Sequence, residues 1–457
     1  MSRRIMFTLA FATWLFPAGA RPAAQDQTAP LLAKAQTVVD LMAAGDFAKT
    51  EELFDVAMKG ALPADKLQAA WNAVVQQAGA FKQRMRVTSQ PRGALLITRV
   101  TCQFEKMSLD VQVVFDKDGL VGGLSFAPVA VDWSPPSYAT AGSFTESDIT
   151  VGAEHWPLPG TLTLPTGAGP FPAVVLVHGS GPEDRDETIG PNKTFKDLAL
   201  GLAARGVAVL RYEKRTQQYA GKLGGIATFT VKDETIDDAV AAVAALRREP
   251  RIDPARIFVL GHSLGGALLP RIAAADPKIA GLISLAGSTR KLGDAMLAQV
   301  TYLVSAAGPV TPEGQKQIDD TTKLVARVQA LTPADAGSPQ SIGGAPASYW
   351  LDLNSYDPVA AARAIPQPML FLQGERDYQV TMAEDFAGWK NGLAGRPRVT
   401  FRTYPALNHL FLPGTGKSLP AEYNTPGHVP EDVVRDIATW IVAVTAARAG
   451  YPRDGRS

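Results

Sequence analysis

The stretch Arg256–Gly266, RIFVLGHSLGG, constrains the fold more than any other part of the chain. It begins as a run of Ile, Phe, Val and Leu without a polar spacer, the pattern of a parallel strand buried on both faces. It ends in Gly-His-Ser-Leu-Gly-Gly and passes into GGALLPRIAAADP, which has helical character. A strand that feeds a helix through so few residues needs a sharp turn. Such a turn holds its central residue, Ser263, in unfavourable backbone angles and exposes the hydroxyl at the strand end. Bulky side chains two positions away would collide there. Gly261 and Gly265 remove that collision, and Gly266 eases packing of the following helix. The same turn aims the Leu264 N–H, at a helix N-terminus, towards negative charge developing on a substrate. His262 is adjacent, but successive residues of such a turn point apart, so it reads as packing in the elbow.

The flanking sequence repeats the strand–helix rhythm. PAVVLVHGSG, VAVLRYEKR and IAGLISLAGS read as strands, while FKDLALGLAARG, closed by Gly206, and VKDETIDDAVAAVAALRREP read as helices. Strands alternating with helices predict βαβ units and a mainly parallel central sheet, an α/β fold spanning 149–446. From about 291 to 362 the alternation stops in favour of helical segments, and the sheet resumes with PMLFLQGERD and RVTFRTYPALNH. A helical insertion at that place is expected as a lid over the C-terminal strand ends; the alternative is a plain helical extension.

The first part of the chain has another character. Residues 30–128 read as a small α+β domain, with helical spacing first and alternating strand-like runs after it. Residues 129–148, rich in Pro, Ser and small residues, read as a linker. The N-terminus carries Arg3 and Arg4, an apolar run from Ile5 to Phe16, and then small residues. That layout predicts a signal peptide over 1–24, with cleavage after Ala20 or Ala24, and an exported, periplasmic or secreted protein. An uncleaved anchor is the other reading, for which the apolar run is short. The lone Cys102 lies in a strand-like run and reads as a buried apolar residue rather than a reactive thiol. Charged residues make up 19% of the chain and the net charge is +1, so no field gathers nucleic acid or an anionic membrane. No cluster with metal-ligand spacing is evident in the N-terminal domain, and the chemistry expected below needs no metal or organic cofactor.

A serine hydroxyl needs a base to become a nucleophile, and the base needs an acid to orient it. In chain order both should follow the serine. Of five histidines, His409 sits just after the last strand, in RTYPALNHLF; His428, in a proline-rich loop, is the weaker alternative. The strand MLFLQG is followed by Glu375 and Asp377, and Asp377 is the preferred acid over Glu375. The second half of an oxyanion hole should come from the loop after an earlier strand. There VVLVHGSGPEDRDET offers the Ser180 N–H, with Gly181 next. The charged run Glu183, Asp184, Arg185 and Asp186 is expected to pair with Lys214 and Arg215, as a loop-fixing set or a substrate clamp.

Gly261-His262-Ser263-Leu264-Gly265, with Asp377 and His409 in that order, resembles the α/β-hydrolase fold. HGSGPEDRDET, LRYEKR and GHSLGG together resemble a group of exported bacterial carboxylesterases that carry a small α+β domain before the hydrolase domain. That group usually reads Arg-Tyr-Asp-Lys-Arg-Gly where this chain has RYEKRT, with Glu213 and Thr216. The resemblance implies a serine hydrolase acting on small-molecule esters of short acyl chains, with Ser263 as nucleophile, Asp377 as acid and His409 as base. A peptidase or amidase on the same triad is the second reading, since fold does not set substrate. The third is a binding protein with a decayed site, in which the N-terminal domain does the work.

Overall fold

A computed structural model describes residues 28–92, 95–129, 133–152, 155–223, 225–306, 308–338 and 340–448. The expected signal peptide lies outside the described residues. The chain divides into two compact units, 1–132 and 133–457.

The first unit opens with α1 (Thr28–Ala43), α2 (Phe47–Glu52), α3 (Val56–Ala61) and α4 (Ala64–Ala78). The helical spacing of 31–62 is realised as three helices, because two aspartates interrupt it. Asp46 accepts from the Lys49 N–H at 3.2 Å and Asp55 from the Met58 N–H at 2.6 Å, so each starts a new helix. Four antiparallel strands follow in the order β1 (Phe81–Arg92), β2 (Leu95–Phe104), β3 (Ser108–Phe115) and β4 (Val121–Pro128). Val100, Cys102 and Phe104 of β2 and Val111, Val113 and Phe115 of β3 project into one core with Met42, Phe54 and Trp71. Burial pushes the Cys102 thiol up to about 12, so it is a packed apolar residue and no nucleophile.

The second unit begins earlier than the sequence suggested. Residues 133–148, read as linker, belong to it: the Trp133 indole donates to Asp197 at 3.0 Å and the Tyr138 hydroxyl to the Val429 carbonyl at 2.6 Å. These two aromatics, apolar in body and polar at the tip, anchor a segment whose Pro/Ser composition hides them. From Phe144 the chain is already in the large sheet. Its strands are β5 (Phe144–Val151), β6 (Leu158–Pro165), β7 (Phe171–Val177), β8 (Ala208–Tyr212), β9 (Ile252–His262), β10 (Leu282–Leu285), β11 (Met369–Gly374) and β12 (Val399–Tyr404). Their order is β12-β11-β10-β9-β7-β8-β6-β5, parallel from β12 to β8 and antiparallel at β6 and β5. Both faces are covered. Val174 and Leu176 of β7 pack with α5 (Thr194–Ala203) and α12 (Glu431–Arg448), while Ala173, Val175 and Val177 pack with α6 (Asp237–Arg247) and α7 (Leu264–Ala275).

From β7 the chain steps to β8 on one side and then crosses to β9 on the other. The order therefore reverses at β7, and the ends of β7 and β9 form the crevice where open α/β sheets place their ligands. The segment 291–362 is helical and inserted between β10 and β11. It comprises α8 (Leu292–Ala306), α9 (Pro312–Gln329), α10 (Ala347–Asn354) and the start of α11 (Pro358–Ala364).

Candidate active site

Ser263 stands between β9 and α7 with φ 51° and ψ −116°. A non-glycine residue holds such angles only where its surroundings over-determine them. Here its N–H donates to Leu285 O on the neighbouring strand at 2.9 Å, and the glycines let three backbones converge. A β-carbon at Gly265 would sit 2.5 Å from the carbonyl oxygens of Val177 and His178, and one at Gly261 would sit 2.3 Å from Gly265 O. Leu264 is the first residue of α7, where backbone N–H groups have no intrahelical acceptor.

The loop after β7 lies against this turn. A β-carbon at Gly179 would fall 3.2 Å from Ser263 Cβ. The Gly179 N–H donates to Glu187 Oε1 at 3.2 Å. The exposed Ser180 keeps its own N–H without an acceptor among the described residues. Ser180 and Leu264 thus each bring an uncommitted N–H to the neighbourhood of Ser263.

His409 and Asp377 meet in the same crevice. His409 Nδ1 is 2.7 Å from Asp377 Oδ2, and both residues are buried. Asp377 Oδ1 accepts from the N–H groups of Gln379 at 2.8 Å and Val380 at 3.0 Å, and Oδ2 accepts from Gln373 Nε2 at 3.1 Å. A carboxylate so held accepts from the Nδ1–H of the imidazole and leaves Nε2 as the nitrogen free to take a proton. The alternatives lie elsewhere. His428 faces Asp197 at 3.0 Å, beside Trp133, and Glu375 accepts from the Thr403 hydroxyl at 2.7 Å.

His262 is more than elbow packing. Its Nδ1 is 2.9 Å from Glu187 Oε1, its Nε2 is 2.9 Å from the carbonyl of His409, and its ring lies 4.7 Å from the His409 ring. Burial opposes charge on this imidazole, but the Glu187 carboxylate outweighs it and pushes His262 up to about 9. His178, fully buried against Phe195 and Tyr212, goes the other way: burial pulls it down to about 4. Glu183 is pushed up to about 7, first by burial and then by Glu187.

The expected pairing of the 183–186 run with Lys214 and Arg215 does not form. Arg185 pairs with Glu213 at 2.7 Å, and Asp186 pairs with Lys193 at 2.9 Å and with Arg211. Lys214 pairs instead with Glu234 at 3.1 Å and Arg215 with Asp238 at 2.5 Å. The two basic residues face the helical turn Lys232–Ile236 and the start of α6, where Glu234 and Asp238, four apart, are both buried. That spacing was readable in VKDETIDDA. Nothing in the local sequence marks Glu187 as the partner of His262.

The helical insertion joins the apolar clusters that hold the chain neighbours of Ser263, Asp377 and His409. Tyr349 and Leu353 of α10 pack with Leu264. On the other side, Tyr302 of α8 stacks on Tyr378 at 5.0 Å and, with Leu303, packs around Leu410. Among the described residues, no group of three or more His, Cys, Asp or Glu is placed to hold a metal ion, and no helix is long and apolar enough to cross a membrane.

Residues 174–447 match the alpha/beta hydrolase family. The chain belongs to that family. Residues 35–124, in the first unit, match a separate family described as a protein of unknown function, DUF3887. Esterase EstD of Thermotoga maritima is 39% identical over 387 residues, covering 84% of this chain and 89% of its own. The quorum-quenching protein AidA of Acinetobacter baumannii is 26% identical over 237 residues, 47% of this chain and 73% of its own. Among solved structures, an esterase of Pyrococcus furiosus aligns with a TM-score of 0.42 at 17% identity, over 69% of this chain and 95% of its own.

Proposed function

We propose that this chain is an exported carboxylic ester hydrolase that works through an acyl-enzyme. The observation that carries the reading is the buried Asp377–His409 pair, 2.7 Å apart, brought beside the strained Ser263 turn. Ser263 Oγ attacks the ester carbonyl while His409 Nε2 takes its proton. Asp377 holds the imidazolium that forms, and the Ser180 and Leu264 N–H groups receive the oxyanion. His409 returns the proton to the leaving alcohol. Water then cleaves the acyl-enzyme by the same route, with no metal or organic cofactor called for. The relation to an esterase over most of the chain supports the ester as substrate. The apolar walls contributed by α8 and α10 suit short acyl groups, with the insertion acting as a lid. The charged, apolar and small-residue layout of the first 24 residues supports export.

The test is hydrolysis of p-nitrophenyl acetate, butyrate and octanoate by the mature protein, beside Ser263→Ala. Turnover by the wild type that vanishes in the variant supports the reading, and the chain-length profile sizes the acyl site. A folded wild type that leaves all three esters intact refutes it, and turnover of peptide amides instead would make the chain a peptidase.

A further inference from the structure

Lys214 is one of the buried cations that the triad and its oxyanion donors leave unused. Lys214, just after β8, is 2% exposed. Its Nζ donates to the Gly179 carbonyl at 2.6 Å and the Gly181 carbonyl at 2.9 Å, and it pairs with Glu234 Oε1 at 3.1 Å. An ammonium has three protons, and here each has an acceptor. Glu234 is buried as well, and its other oxygen, Oε2, accepts from the Tyr349 hydroxyl at 2.6 Å. Tyr349 belongs to α10 of the insertion, in the apolar cluster that includes Leu264. One chain of contacts thus runs from the insertion, through a carboxylate and an ammonium, to the loop after β7.

What Lys214 holds is the peptide between Gly179 and Ser180. In a planar trans peptide the C=O and the N–H point in opposite directions. Drawing the Gly179 carbonyl to Lys214 turns the Ser180 N–H to the opposite side of the loop. The second contact, at Gly181, pins the same loop two residues further on, where φ is 91°. The Gly179 N–H is already taken by Glu187, so of the two consecutive donors only that of Ser180 is left for a ligand. The positive end of this aligned dipole chain also favours an anion at that N–H.

We infer that Lys214 is a positioning residue for the oxyanion hole, and that the Glu234–Tyr349 contact keys it to the seating of the insertion. This rests on the esterase reading above, and the experiment separates the two. Wild type, Lys214→Met and Tyr349→Phe are compared in the full mature chain, with rates normalised to sites titrated by a fluorophosphonate probe. Lys214→Met is expected to lower kcat on the order of 10–100-fold, with KM within about twofold, because a misplaced donor is lost only at the transition state. Tyr349→Phe, which removes one oxygen, is expected to lower kcat about 3–10-fold in the same pattern. Affinity for a trifluoromethyl ketone, which forms a tetrahedral adduct, should fall in parallel, while affinity for the matching unfluorinated ketone holds. A merely structural role would reduce the number of titrated sites and leave kcat per site unchanged. Wild-type kcat per site in Lys214→Met overturns the inference. If that variant does not fold, unchanged kcat per site in Tyr349→Phe overturns it. A folded wild type that neither hydrolyses esters nor takes the probe refutes the esterase reading, and this inference with it.

Discussion

Replacing Glu187 by glutamine tests the electrostatics beneath the site. His262 faces an acceptor through each ring nitrogen, Glu187 Oε1 and the His409 carbonyl, both at 2.9 Å. A neutral imidazole has one N–H, so only the imidazolium satisfies both. The rise from the ordinary value of 6.5 to about 9 corresponds to about 3 kcal/mol favouring the charged form in the folded state. With glutamine at 187, His262 either stays charged without a counter-ion or becomes neutral, and then either its own lone pair opposes the His409 carbonyl or the amide NH2 that meets it deprives the Gly179 N–H of its acceptor. Breaking a buried pair in this way costs about 3–5 kcal/mol, which for a unit of this size lowers the melting temperature by about 6–15 °C. The sign follows from the direction of the shift. A raised imidazole contributes fully below pH 6.5, and its contribution is lost as pH rises through about 9. Glu187 is held below its ordinary 4.5 by His262 despite its burial, so its share fades only under more acid conditions than that. The melting gap between wild type and Glu187→Gln should therefore be widest at about pH 5–7 and shrink towards pH 10. Differential scanning fluorimetry across that range reads it directly. A gap under about 2 °C at pH 6, or one that widens from pH 7 to 10, would refute the reasoning.

Three further outcomes are expected. Asp377→Asn should keep the fold and lower kcat by about 10⁴-fold, because an amide cannot hold His409 in the required tautomer; steady-state rates on p-nitrophenyl acetate check it. Gly265→Ala places a carbon 2.5 Å from two backbone carbonyl oxygens, so little soluble protein should be recovered, as size-exclusion chromatography would report. Tyr302→Ala removes the ring stacked on Tyr378 and should shift preference towards longer acyl chains, read as the ratio of kcat/KM for octanoate over acetate; an unchanged ratio would place the acyl group elsewhere.

Much of this architecture was legible because it depends on local rules. The β9–α7 turn announces itself through Gly261, Ser263 and Gly265, since the collision they avoid is a property of the backbone. The meeting of Asp377 with His409 was readable because both follow strands of one parallel sheet, which puts their loops at one edge. Other features depend on contacts that no window of sequence contains. Residues 133–148 looked like linker because composition registers proline and serine, not that Trp133 finds Asp197 or that Tyr138 finds Val429. His262 looked like filler because Glu187, 75 residues earlier, supplies the carboxylate that charges it. Lys214 and Arg215 were matched to the nearest acidic run, while the sheet turns them towards Glu234 and Asp238.

The packing of the insertion limits how such a protein can change its diet. Leu264, Tyr378 and Leu410 follow Ser263, Asp377 and His409 by one position, and each belongs to a cluster that the insertion completes. On the proposed mechanism, the wall against the substrate and the frame that acts on its bond are one residue apart at three separate points. On the same mechanism, a substitution in α8 or α10 that enlarges the acyl site is expected to loosen the backbone carrying Ser263, Asp377 or His409. New specificity in this chain should come more safely from insertion positions that touch none of those three residues, and the cost of ignoring that limit would appear as lost turnover rather than as lost binding.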